Sequence, residues 1–142
     1  MEIRTTIKVN TVKQIGVGEG RNSVVYLARD PQLNSEIVLK KIPLRAFGNV
    51  DEYFREARIL YANRHPRVAQ VLWAASDTNN VYIAMPYYPG GSLNQVLERN
   101  SLPVRQVIAY GQNILTGIHY IHTKGFIHFD IKPSNVLRCS DN

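Results

Sequence analysis

The stretch "IHFDIKPSN", Ile127 to Asn135, places an acid, a cation and an amide at the spacing D-x-K-x-x-N. Each group has a use in one kind of chemistry. A carboxylate such as Asp130 can accept a hydroxyl proton, and a lysine two residues on, Lys132, can neutralise a phosphoryl group in transfer. An amide five residues on, Asn135, can offer its oxygen to Mg²⁺. Pro133 stiffens the loop between them. The same letters also suit a solvated polar turn, and His128 taken alone suits a hydrogen-bonded structural histidine, so the stretch needs corroboration elsewhere in the chain.

Two further patterns supply it. In "GEGRNSVVY", Gly18 to Tyr26, glycines at alternate positions lie between two expected strands, where backbone N–H groups can approach phosphate oxygens without a side chain colliding. The segment after it reads as strand rather than helix, which excludes a dinucleotide fingerprint, and no G-K-[ST] follows, which excludes a P-loop. A plain glycine-rich hairpin remains open. In "IVLK", strand alternation sets Val38 and Lys40 on one face, an apolar wall with a single cation; a solubilising edge lysine is the competing reading. If Lys40 is buried it needs a counter-charge, and the expected helix from Asp51 to Asn63 offers Glu52 and Glu56.

The bulk numbers bound these readings. At 142 residues, 44% hydrophobic and 20% charged, the chain has one domain's worth of sequence and an ordinary globular composition. A net charge of +6 favours polyanions, but no basic run exceeds the pair Lys40-Lys41, and no nucleic-acid motif accompanies it. The single cysteine, Cys139, excludes an internal disulfide and fits a reducing, cytoplasmic setting. No apolar run reaches eighteen residues, so no membrane segment is expected in this stretch.

Texture changes midway. Strands are expected at "SVVYLARD", "EIVLKKI", "VAQVLWAAS" and "VYIAMPYY", the last two joined by a turn at Asp77-Thr78-Asn79-Asn80. After "YYPGG" a short helix capped by Ser92 and a long one from Pro103 to Lys124 follow, with Gly125 as the stop. The long helix carries two apolar stripes: Val104, Val107, Ile108, Gly111, Leu115 and Ile118 form one, and Tyr110, Ile114 and Ile121 the other.

In this order and at these separations, "GEGRNSVV", "IVLK", the helix with Glu56 and "HFDIKPSN" resemble the eukaryotic-like protein serine/threonine kinases over essentially the whole chain; "KPSN" is the serine/threonine form of that loop, and His65-Pro66 and "PYYPGGSL" fit the same pattern. The resemblance implies an α+β fold. Residues 11–88 would form a small antiparallel β-sheet lobe with one helix and a hinge, and residues 89–142 the incomplete start of a helical lobe.

It implies ATP and Mg²⁺ as cofactors, with a protein hydroxyl as acceptor. Gly18, Glu19, Gly20 and Ser23 would belong to the phosphate loop. Val17, Val25, Val38 and Leu137 would enclose the adenine, with Met85 as gatekeeper. Pro86 and Tyr88 would offer hinge backbone groups, and Ser92 would reach the ribose. Lys40, held by Glu56, would take the α/β-phosphates. Asp130 would be the catalytic base, Lys132 the γ-phosphate clamp and Asn135 a metal ligand.

Two residues depart from the pattern. Ser23 stands for the third loop glycine, and Phe129 for the arginine that elsewhere pairs with a phosphorylated activation loop. The family's D-F-G is expected beyond Asn142, so the stretch by itself is expected to be inactive and to need a continuation or second chain. Two rival readings are a non-catalytic ATP-binding interaction module and a small-molecule phosphotransferase of the aminoglycoside-kinase type, which shares H-x-D-x-x-x-x-N.

Overall fold

The computed structural model describes residues 5–18, 23–44, 50–62, 64–99 and 101–139; the side chains of Val17, Gly18, Val50, Glu52, Tyr53 and Glu56 lie outside that description. The chain divides into two units, residues 1–59 with 71–87, and residues 60–70 with 88–142.

The first unit is built on five strands: β1 Asn10–Gly18, β2 Ser23–Asp30, β3 Ser35–Pro43, β4 Trp73–Ser76 and β5 Asn80–Pro86. They form one antiparallel sheet in the order β1-β2-β3-β5-β4. The β-branched and aromatic runs of the sequence become these strands because alternate side chains bury on each face. Ala28, Ile37, Leu39 and Ala84 pack on one face, flanked by Val9, Tyr26, Trp73 and Tyr82. A cavity of about 430 Å³ opens on that side among Tyr26, Lys41, Trp73 and Tyr82. Leu27, Ile42, Val81 and Ile83 are buried on the other face. Register shifts between Thr11 and Lys13 and between Gln14 and Gly16 put two irregularities into edge strand β1, which blunt it against pairing with another chain.

Two aspartates set the turns. Asp30 Oδ1 accepts the amides of Gln32 and Leu33 at 2.9 and 3.0 Å, and its Oδ2 accepts the Trp73 indole N–H at 3.0 Å. Those bonds hold its carboxyl below the usual carboxylate range, the Leu33 amide contributing most. Asp77 closes the β4–β5 hairpin, accepting the Asn79 and Asn80 amides at 2.7 Å and the Tyr82 hydroxyl at 2.7 Å.

Helix α1 spans Val50–Ala62. In the second unit, α2 is Leu93–Arg99 and α3 is Val104–Thr123, followed by a 3-10 turn at Pro133–Asn135. The Ser92 cap is present as a reciprocal box: the Gln95 amide donates to Ser92 Oγ at 3.3 Å, and the Ser92 amide to Gln95 Oε1 at 2.9 Å. α3 ends as its glycine implies. Gly125 has φ of 79°, its amide reaches the His122 carbonyl, and the Phe126 amide reaches that of Ile121. No helix among the described residues is long and apolar enough to cross a membrane.

One expected strand is shortened. "VAQVLWAAS" reads as strand from Val68, but the strand begins only at Trp73. Upstream, the Val68 amide donates to the His65 carbonyl at 3.0 Å and the Arg67 amide to His65 Nδ1 at 3.1 Å, so the segment turns after Pro66. The turn packs within the helical unit: His65 stacks on Tyr120 at 4.7 Å, and a Cβ on Gly117 would lie 2.6 Å from the Arg67 carbonyl oxygen. Local tertiary packing there overrides β propensity.

Candidate active site

On the sheet, register assembles what the sequence suggested. Val25 stands opposite Lys40, and Lys40 opposite Ile83; Leu27 stands opposite Val38, and Val38 opposite Met85. Directly paired residues share a face, so Val25, Val38, Lys40 and Met85 form one patch, apolar with a single cation. Pro86 lies in β5 opposite Ile37. At the glycine-rich end, Gly18 pairs with Ser23, and Val17 pairs with Val24 rather than Val25. Ser23 is buried and its Oγ meets no hydrogen-bond partner. Glu19 and Gly20 lie outside the described residues, as do the side chains of Val17 and Glu56, the latter within α1.

In the helical unit, Asp130, Lys132 and Asn135 converge. Asn135 Nδ2 donates to Asp130 Oδ2 at 2.8 Å and to the Asp130 carbonyl at 3.0 Å, while Lys132 Nζ lies 3.2 Å from Asp130 Oδ2. The local chain makes this possible. Phe129 takes a left-handed φ of 60°, the Asp130 amide donates to His128 Nδ1 at 3.2 Å, and Pro133 starts the 3-10 turn that brings Asn135 back. The Lys132 hydrogen bond first, then that of Asn135, hold the Asp130 carboxyl below the usual range. It is therefore anionic at neutral pH, and it is open to solvent. Because the Asn135 nitrogen is the atom turned to Asp130, its Oδ1 is left as a hard oxygen donor of the kind Mg²⁺ takes. Among the described residues no group of three His, Cys, Asp or Glu side chains forms a self-sufficient metal cage.

The loop is tied to the segment after Tyr88. The Leu93 amide donates to the Val136 carbonyl at 2.8 Å, Ser92 and Leu137 form a β-bridge, and the Arg138 amide donates to the Gly91 carbonyl at 2.9 Å. Ser92 Oγ is engaged as a helix cap, and the Tyr88 carbonyl accepts the Gly91 amide at 3.1 Å. Burial pushes the Tyr88 phenol above its ordinary pKa. Sequence reasoning missed Arg138, whose Nη1 reaches the Gly90 carbonyl at 3.5 Å. An isolated arginine after a loop carries no sequence signal for such a clamp.

The family model for the protein kinase domain matches residues 10–142. The chain belongs to the protein kinase family. It is 30% identical over 141 residues to citron rho-interacting kinase of Rattus norvegicus, covering 96% of this chain and 7% of that protein. It is 32% identical over 136 residues to the serine/threonine-protein kinase PknD of Chlamydia caviae, covering 85% of this chain and 15% of that one. CBL-interacting protein kinase 28 of Oryza sativa is 29% identical over 140 residues, with 96% of this chain and 32% of that protein covered.

Among solved structures, Rad53 1-466 in complex with AMP-PNP matches with a TM-score of 0.82 and 27% identity, covering 94% of this chain and 35% of that one. The fold is thus that of a protein kinase, and the chain spans about a third or less of the length of these relatives.

Proposed function

We propose that the protein is an ATP-dependent serine/threonine kinase that moves the γ-phosphoryl group of ATP to a protein hydroxyl. One observation carries this: an Asp130 carboxylate held anionic and aimed by Lys132 and Asn135 within a single loop. An anionic carboxylate accepts the hydroxyl proton, and the lysine beside it offsets charge on the phosphoryl group in transfer. The Val25, Val38 and Met85 patch supports an adenine wall, and Lys40 on the same face supports a phosphate contact. The relative solved with an ATP analogue favours the same nucleotide. Mg²⁺, when bound, supplies charge neutralisation between phosphates, and Asn135 Oδ1 would hold it. The 142-residue stretch by itself binds nucleotide in this reading but does not turn over.

The test uses the intact gene product. Asp130→Ala should lower phosphate transfer by at least a thousandfold, in the range lost when a proton-accepting and aligning group goes, with ATP affinity within about twofold. Undiminished transfer would remove the role given to Asp130. A second reading, nucleotide binding without transfer, is favoured by Phe129, a left-handed residue 89% exposed where the family's arginine stands. ATP-dependent thermal stabilisation with no transfer in the intact wild type would decide for it.

A further inference from the structure

Lys40 and Lys41 are adjacent in β3, so their side chains leave opposite faces of the sheet. Lys40 shares its face with Val25, Val38 and Met85. Lys41 belongs to the other face, where the cavity of about 430 Å³ opens, a volume within the range of small-molecule sites. Every residue that lines this cavity belongs to the first unit.

The lining is apolar and aromatic with one charge. Leu39 is buried, and Tyr26, Trp73 and Tyr82 are half-buried around it. Two of the rings are held by their polar ends: the Trp73 indole N–H donates to Asp30 Oδ2 at 3.0 Å, and the Tyr82 hydroxyl to Asp77 Oδ2 at 2.7 Å. A ligand that enters meets rings already fixed, so little side-chain freedom is lost on binding. Among the described residues that line the cavity, Lys41 is the one charged side chain; neither aspartate is among them.

The polar groups left over indicate the ligand. Among the described residues nothing hydrogen-bonds to the Tyr26 hydroxyl or pairs with the Lys41 ammonium. Tyr26 stands opposite Leu39, and Val24 opposite Lys41, so Tyr26 and Lys41 are diagonal neighbours on one face. Such neighbours lie roughly 7–8 Å apart, within reach of one group between them. A carboxylate accepts from an ammonium and a phenol O–H together. A phosphate dianion would bring more charge than a single lysine offsets, and a neutral ligand would leave the ammonium without a counter-charge. A flat ring is the body that packs best against three aromatic side chains.

We propose that this cavity binds a small aromatic monocarboxylic acid, its ring against Tyr26, Trp73 and Tyr82 and its carboxylate on Lys41 and the Tyr26 hydroxyl. The site lies on the face of the sheet opposite the Lys40 patch and does not depend on what that patch binds.

Titration calorimetry of the intact protein with 2-naphthoate, 2-naphthamide and 2-naphthyl phosphate tests it. 2-Naphthoate should bind with a Kd at or below about 1 mM, and the neutral amide and the phosphate at least about fivefold more weakly. Lys41→Gln should weaken 2-naphthoate roughly tenfold and Tyr26→Phe roughly fivefold, the sizes expected for losing an ion pair and one hydrogen bond to a charged acceptor. Ala75→Leu fills the cavity from β4 and should abolish binding. Should that variant misfold, Lys41→Gln and Tyr26→Phe still decide, since neither inserts bulk into the sheet. No binding by the wild type, equal binding of the amide, tighter binding of the phosphate, or unchanged affinity in both Lys41→Gln and Tyr26→Phe overturns the proposal. So does displacement of 2-naphthoate by saturating ATP, which would put the acid on the Lys40 face instead.

Discussion

Asp77 shows how far hydrogen bonds from a turn and the strand after it can perturb a single carboxylate. The Tyr82 hydroxyl first, then the Asn79 and Asn80 amides, bring its pKa down to about 2, and burial with the Asp77 contact raises that of Tyr82. The folded pKa lies below the unfolded one, so the contribution to stability is complete above the unfolded value, about 4, and is lost as pH falls through about 2. Thermal melting followed from pH 7 down to pH 2 should show this part of the acid limb between those values. Tyr82→Phe removes the largest cause, so the limb should move to higher pH while Asp77 keeps its backbone bonds. Superimposable acid limbs for the two proteins would mean that the hydroxyl does not hold the carboxylate.

At the scale of elements, Gly117 is a position where α3 and the turn after Pro66 meet closely. A methyl group there would sit 2.6 Å from the Arg67 carbonyl oxygen and 3.3 Å from the Arg67 Cβ, against backbone that cannot rotate away. Gly117→Ala should therefore cost about 1–3 kcal/mol by overpacking, despite alanine's better helix propensity, and a denaturant midpoint measured against wild type checks it. A stabilised variant would mean the turn can withdraw from α3.

The same contact explains what the sequence withheld. Patterns confined to one loop or one strand were legible: Asp130, Lys132 and Asn135 lie within six residues, and alternation alone set Val38 beside Lys40 on one face. The turn after Pro66 was not, because Val68, Val71 and Leu72 have strand propensity and only packing on a helix some fifty residues later contradicts it. Nor were the Arg138 clamp and the unpartnered Ser23 hydroxyl, since both are defined by what surrounds them in space.

Among the described residues, one face of α3 carries several exposed apolar side chains close together. One of the two sequence stripes is covered in part: Tyr110, Ile114 and Ile121 are half-buried. The other is mostly open: Val104 is 74% and Leu115 67% exposed, and Val107 and Ile108 are exposed as well, while Gly111 and Ile118 are half-buried. Single exposed apolar side chains are ordinary, but four on one helix face form a contiguous patch of the kind that binds hydrophobic dyes or drives association. For the 142-residue stretch produced by itself, changing Val104, Val107, Ile108 and Leu115 together to glutamine should sharply lower ANS fluorescence and concentration-dependent scattering. Because none of the four is packed, the helical circular-dichroism signal should persist, and stability should change by no more than about 0.5 kcal/mol per site. A collapse of the helical signal would show instead that this face is buried in solution, and the dye result separates the two cases because a packed face binds no ANS to begin with.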